Sequence, residues 1–193
     1  MSSSETTKPQ RGHPSPMMFV SLGIGLVIAI ALIAVVSYFT GGSVQQPSAL
    51  TASSEVGKTI KSFSEASLNG GQSVSAPWKS GQSGVVMFFA SWCTVCREEL
   101  PKIEKYVKAH DLGSTQVIGI DALDAKSSAQ TFVKQMGISF PVAYDPDGKV
   151  TTNLFGITNL PETFFVDKAG VVKGVYLGAV PVSEFAKGLA LLN

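Results

Sequence analysis

The two cysteines of this 193-residue chain, Cys93 and Cys96, stand three apart within residues 88–101, FFASWCTVCREELP. Two thiols at that spacing can exchange with a disulfide of another protein, one attacking and the other resolving. They follow a continuously apolar run at 85–90, which reads as a buried strand, and precede a segment whose apolar positions recur at helical spacing. The pair therefore sits at a strand-to-helix turn. Along that helix Cys96, Leu100, Ile103 and Val107 share one stripe, so Cys96 is expected to face inward while Cys93, at the helix start, can face solvent. A helix N-terminus offers unpaired N–H groups and the positive end of the macrodipole, both of which favour a thiolate. Cys93 is thus the expected nucleophile. Cys96, one turn away at high effective concentration, is the expected resolving thiol.

Other uses of two cysteines fit less well. A structural disulfide across so short a loop constrains the unfolded chain little. Zinc needs two further ligands, and the only histidines are His13, before a long hydrophobic segment, and His110. A copper-binding assembly factor could hold Cu(I) between two thiolates, but no histidine stands near the pair. A peroxidase reading lacks a Thr-x-x-Cys before Cys93. Glu99 lies three residues after Cys96 on the same helix, where a partly buried carboxylate can take the proton of the resolving thiol. Its alternative is a solvated helix carboxylate like Glu98 or Glu104. His110, at the helix end, suits a capping role beside the negative pole of the dipole.

The string Trp92-Cys93-Thr94-Val95-Cys96 with Glu99 and Pro101, and the later Leu160-Pro161-Glu162-Thr163-Phe164-Phe165-Val166-Asp167, resemble the thioredoxin-like family of membrane-tethered extracytoplasmic thiol-disulfide oxidoreductases. That group includes the reductases of cytochrome c maturation. The likeness spans residues 57–191 and implies a thioredoxin fold. It implies that Pro161 is cis beside the dithiol, leaving the backbone of Leu160 free to pair with a substrate strand. It further implies that Trp92 shields one side of the dithiol and that an acidic residue occupies the position of Glu99. The chain departs from the pattern at Met87, where thioredoxins carry a buried Asp and many of the resembled reductases an Asn. Glu99 or water is then left as proton acceptor. The implied activity is reduction of protein disulfides, apocytochrome c among the substrates, with electrons resupplied by a membrane thiol transporter. An oxidase of the same fold is the alternative, because direction follows reduction potential, which Thr94-Val95 does not fix. No metal or cofactor is expected.

Residues 17–39 run for 23 positions without a charge, enough at about 1.5 Å per residue to cross a hydrocarbon core of about 30 Å. A cleavable signal has a shorter apolar region, about 7–15 residues, and the small residues Ala52-Ser53-Ser54 lie far beyond position 39. An uncleaved anchor is expected, without a nearby cysteine to carry a lipid. Lys8 and Arg11 precede the segment and the next basic residue is Lys58, which puts the N-terminus in the cytoplasm and the redox domain outside. Residues 1–16 read as a disordered cytoplasmic tail, 40–56 as a flexible linker, and 57–193 as the redox domain. Fifteen Lys plus Arg against 14 Asp plus Glu leave no basic excess for nucleic acid.

The fold class expected is α/β, a mixed central sheet with helices on both faces. A β-hairpin over 60–74 precedes the central strand, and the active-site helix runs over 94–110 with a kink at Pro101. Strand 116–121, helix 126–136 and strand 139–144 follow, the last two forming the insertion that the resembled family places between its halves. A helix over 150–155 ends at Gly156, a hairpin joins 163–166 to 171–177 through Asp167-Lys168-Ala169-Gly170, and a helix over 182–192 closes the chain.

Overall fold

The strand that leads into the cysteines lies in the middle of a five-stranded sheet. In the computed structural model, residues 49–50 and 52–192 are described. The expected tail and membrane segment, and most of the linker, fall outside them. Among the described residues no helix is long and apolar enough to cross a membrane. In chain order the strands are β1 (Ser64–Glu65), β2 (Val74–Ser75), β3 (Gly84–Phe89), β4 (Gln116–Ala122), β5 (Val142–Asp145), β6 (Glu162–Val166) and β7 (Val172–Leu177). Among the described residues the α-helices are α1 (Thr94–Ala109), α2 (Lys126–Gln135) and α3 (Val182–Ala190).

The large sheet has the order β5-β4-β3-β6-β7. β3 pairs parallel with β4, and β4 with β5, the crossovers being α1 and α2; β3 with β6 and β6 with β7 are antiparallel. All six residues of β3 are buried, which is why it reads as an unbroken apolar run instead of an alternation. The α2–β5 unit adds the edge strand beyond β4. The β6–β7 turn is set by Asp167, whose Oδ1 accepts the amides of Ala169 and Val171 at 2.9 and 3.0 Å.

The two faces of the sheet are covered differently. One carries Val85, Met87, Phe89, Val117, Val142 and Phe165, packed under the apolar stripes of α1, α2 and α3. Gly188 allows α3 to sit close there, since a Cβ at that position would meet the Phe165 ring at 2.3 Å. The opposite face, with Val86, Phe88, Ile118, Ile120 and Phe164, is covered by Ile60, Phe63 and Trp78 from the N-terminal segment and by Val150 and Phe155. The expected helices on both faces are thus unequally shared, with the three α-helices of the described residues on one side.

Two expected elements take a different form. The N-terminal hairpin pairs only two residues on each strand, Ser64 with Ser75 and Glu65 with Val74. The helix expected at 150–155 is a π-helical turn over Lys149–Leu154, with the Asn153 amide donating to the Gly148 carbonyl at 3.0 Å and the Phe155 amide to that of Val150 at 3.0 Å. Residues five apart on an α-helix point about 140° away from each other; the wider turn lets Val150 and Phe155 both face the sheet.

Candidate active site

Register brings the candidate residues to one edge of the sheet. Phe89, the last residue of β3, pairs with Asp121 of β4, and Phe88 pairs with Glu162 of β6. The loops 90–93, 122–125 and 156–161 therefore leave the sheet together, and β7, whose Leu177 pairs with Glu162, ends at the same edge. Ligands of open α/β sheets gather at this end of the parallel strands.

Cys93 and Cys96 are joined in a disulfide, with Cα atoms 5.3 Å apart. Cys93 is the N-cap of α1, and its Sγ accepts the Cys96 amide at 3.1 Å. That sulfur is held on the unpaired N–H groups of the first turn, the environment that favours a thiolate. Cys96 faces the core, completely buried on one stripe with Leu100 and Ile103. Cys93 is the more accessible sulfur but retains only 6% exposure, because the turn folds it against the helix, short of the exposure that its place at the helix start allowed.

Glu99 is buried, with 3% exposure. Its Oε1 accepts the Val180 amide at 2.8 Å and its Oε2 has no partner. Burial pushes the carboxyl up to about 7, a rise that the Val180 hydrogen bond limits. Glu98 is exposed, but Glu104, grouped with it in the sequence reading, is not. Glu104 is buried, pairs with Lys108 at 2.8 Å and accepts the Ser139 hydroxyl. Those partners outweigh its burial and hold its carboxyl below the ordinary range.

Trp92 is 59% exposed, so it is not a core residue, and its Nε1 donates to the Leu123 carbonyl at 3.3 Å. The Leu160–Pro161 peptide bond is cis. Leu160 packs between both hydrophobic clusters, and the Pro161 carbonyl accepts the Gly178 amide at 2.9 Å. Met87 is buried on the face that carries the dithiol helix, opposite Thr163 of β6, so no ionisable side chain stands at that level of β3. His110 caps α1, with Nδ1 2.9 Å from the Tyr106 carbonyl and its ring stacked on Tyr106 at 3.9 Å. A cavity of about 580 Å³ lies under the hairpin, lined by Val74, Pro77 and Gln116 among others, and neither cysteine borders it.

Sequence reasoning missed one polar residue at this edge. Asp121, taken as the end of a strand, is completely buried, and neither carboxyl oxygen has a donor. The signal was present in the alternation of β4, where Val117 and Gly119 face the helices and Asp121 continues that inward set.

The family model of the AhpC/TSA family matches residues 56–175. The chain is 30% identical over 118 residues to the thiol-disulfide oxidoreductase ResA of Bacillus thuringiensis subsp. konkukian, covering 61% of this chain and 67% of that protein. Sporulation thiol-disulfide oxidoreductase A of Bacillus subtilis is 23% identical over 163 residues, 82% of this chain and 92% of that protein. Among solved structures, a DsbF homologue from Corynebacterium diphtheriae is similar with a TM-score of 0.61 and 27% identity, over 77% of this chain and 97% of that one. A CxxC pair within a thioredoxin-like fold, in such company, makes the protein a thiol-disulfide oxidoreductase.

Proposed function

The chain belongs to the AhpC/TSA family, and on that premise we propose that it is a membrane-anchored reductant of protein disulfides outside the cytoplasm. The observation that carries the reading is the asymmetry of the dithiol: Cys93 Sγ caps the N-terminus of α1, while Cys96 is sealed behind it. In the reduced protein the Cys93 thiolate attacks one sulfur of a substrate disulfide and expels the other as a thiolate. Cys96 then loses its proton and attacks Cys93 Sγ, which releases the second substrate thiol and leaves the Cys93–Cys96 disulfide. Two electrons pass to the substrate. The buried Glu99 is the acceptor for the Cys96 proton, since Met87 provides none.

Trp92, Leu160 and Pro161 form the rim on which a substrate strand docks, with Leu160 offering its backbone; among the described residues neither its N–H nor its C=O has a backbone partner. Resemblance supports apocytochrome c as one substrate and a membrane thiol transporter as the electron donor. Residues 17–39 are the anchor, with the N-terminus in the cytoplasm.

Two experiments test these assignments. Cys96→Ser should accumulate mixed disulfides between Cys93 and partner proteins, whereas Cys93→Ser should trap none; equal trapping by both sinks the roles. In a Cys-free background, Ser48→Cys should react with an impermeant maleimide in intact cells and Ser4→Cys should not. The equilibrium potential of the Cys93/Cys96 couple against glutathione then fixes direction, a value near those of strong oxidants favouring the disulfide-forming alternative.

A further inference from the structure

Asp121 ends the inward-facing set of β4 with Phe89 of β3 on one side and Tyr144 of β5 on the other. A buried carboxyl with no donor is costly unless it keeps a proton and gives it to an acceptor. Another acid, Asp124, lies close enough for its charge and its side chain to raise the Asp121 carboxyl, and it is the acceptor open to an Asp121 proton. Two carboxyl groups can bond only when one of them carries the proton. Asp124 already accepts two amides, that of Ser91 on Oδ2 at 2.6 Å and that of Ala125 on Oδ1 at 2.7 Å. Both Asp124 oxygens are thus already acceptors, which leaves the shared proton on Asp121. Burial, together with the charges of Asp124 and Asp145, pushes Asp121 up to about 8.

The pair matters because of what Ser91 leads into. Ser91 and Trp92 immediately precede Cys93, and this loop hangs on the 122–125 turn by two bonds, Ser91 N–H to Asp124 and Trp92 Nε1–H to the Leu123 carbonyl. Leu123 itself turns through φ 53°, a conformation that non-glycine residues rarely hold. The other charges nearby are engaged elsewhere. Asp145 Oδ2 accepts the Val150 and Thr151 amides, Lys126 lies 5.7 Å over the Tyr144 ring, and Arg97 is bound to the Ser91 carbonyl and Gln135. Among the described residues neither cation forms a salt bridge with Asp121 or Asp124.

We propose that Asp121 is a positioning residue for the dithiol: its proton holds the Asp124 carboxylate in place, and that carboxylate fixes the Ser91–Cys93 loop. Loss of the proton places a buried anion beside the half-buried Asp124 carboxylate and releases the loop. The catalytic consequence rests on the oxidoreductase reading above, but the coupling between Asp121 and Ser91 stands apart from it.

The test uses the oxidised full-length chain in detergent micelles, in which neither cysteine titrates. The Asp121 carboxyl carbon and the Ser91 amide are followed by NMR from pH 5 to 9.5. The carboxyl should titrate near 8, and the Ser91 amide should move with the same midpoint. Asp121→Asn should abolish that Ser91 inflection, because its side-chain N–H donates to Asp124 at every pH. An Asp121 carboxyl that titrates near 4, or a Ser91 inflection that survives in Asp121→Asn, overturns the proposal. Should the variant not fold, the wild-type midpoints decide, and unequal midpoints overturn it. A chain that shows this coupling yet reduces no protein disulfide would fail the function proposed above and leave the acid pair standing.

Discussion

Glu99, toward the β7 end of the active edge, is given a hydrogen-bond donor, whereas Asp121, toward β5, is given another acid. Both are buried carboxyls on the face that carries α1, and burial raises both. What differs is the partner. The Val180 amide supports the charged form of Glu99 and leaves Oε2 free, so Glu99 can gain and lose a proton near neutrality. Asp124 supports the protonated form of Asp121, which keeps its proton and spends it on structure. Burial alone therefore does not assign a role to an acid; the donor or acceptor across from it does.

The largest effect that separates the two sides is kinetic. Glu99→Gln keeps the shape and the acceptor for Val180 but removes the base, so resolution of the mixed disulfide by Cys96 should slow. General-base contributions are typically about 10²- to 10⁴-fold, and a thiol of ordinary pKa about 8.5 is partly ionised already, so about tenfold to a hundredfold is expected. The deficit should be greatest a little above pH 7. It shrinks below 7, where Glu99 itself is protonated, and at high pH, where the Cys96 thiol ionises unaided. Glu98→Gln, on the exposed side of α1, is the control. Rapid-quench assays of the mixed disulfide from pH 6 to 9 measure this, and superimposable profiles for wild type and Glu99→Gln would remove Glu99 from the chemistry.

How far these two acids could be read without coordinates follows from the same contrast. Glu99 was legible because helical spacing from Cys96 ties it to a residue that already announced its chemistry. Asp121 was not, because its importance depends on pairing across strands and between loops: only the β3–β4 register sets it beside Phe89, and only the hydrogen bond from the Ser91 amide ties Asp124 to the loop before Cys93. The sheet, the three α-helices and the β6–β7 hairpin followed from periodicity and turn residues. The π-helical turn did not, since six residues hold too few repeats to tell a wider turn from an α-helix, and Asp145, which caps it through Val150 and Thr151, lies outside the segment. Glu104 looked solvated because its neutralising partners are Lys108, one turn on, and Ser139, 35 residues away.

Stability against pH sharpens the comparison at a smaller scale. Glu99 and Asp121 hold a proton more tightly in the folded chain than their ordinary values of 4.5 and 3.8. Their contribution is therefore complete below about pH 4 and is lost as the pH rises through about 7 for Glu99 and about 8 for Asp121. Glu104 has the opposite sign, with a contribution present above its ordinary 4.5 and lost as the pH falls. Between about pH 5 and 7 each raised acid tilts unfolding free energy downward by up to about 1.4 kcal/mol per pH unit. Urea titrations of the oxidised protein should show a flatter slope for Glu99→Gln and for Asp121→Asn. Glu104→Gln should leave the slope in that window unchanged, and a flattened slope there would mean that its pairing with Lys108 does not hold it charged.

The smallest effect tests whether the two sides are separate at all. Glu99 and Asp121 share no hydrogen-bond partner, the one reaching the segment after β7 and the other the turn after β4. Changes at sites without shared partners usually add to within about 0.3–0.5 kcal/mol. At pH 5 both acids are protonated in the folded chain, so Glu99→Gln and Asp121→Asn replace neutral groups with neutral groups, and the double variant should equal the sum of the singles within that margin. Above pH 8 both are ionised in the wild type, and any repulsion between them enters the cycle as a coupling that grows with pH and weakens with salt. A coupling of about 1 kcal/mol or more already present at pH 5 cannot be electrostatic repulsion between two neutral acids. It would mean that the Ser91–Cys93 loop transmits packing from one side to the other, and that the dithiol is held by one continuous support instead of two independent ones.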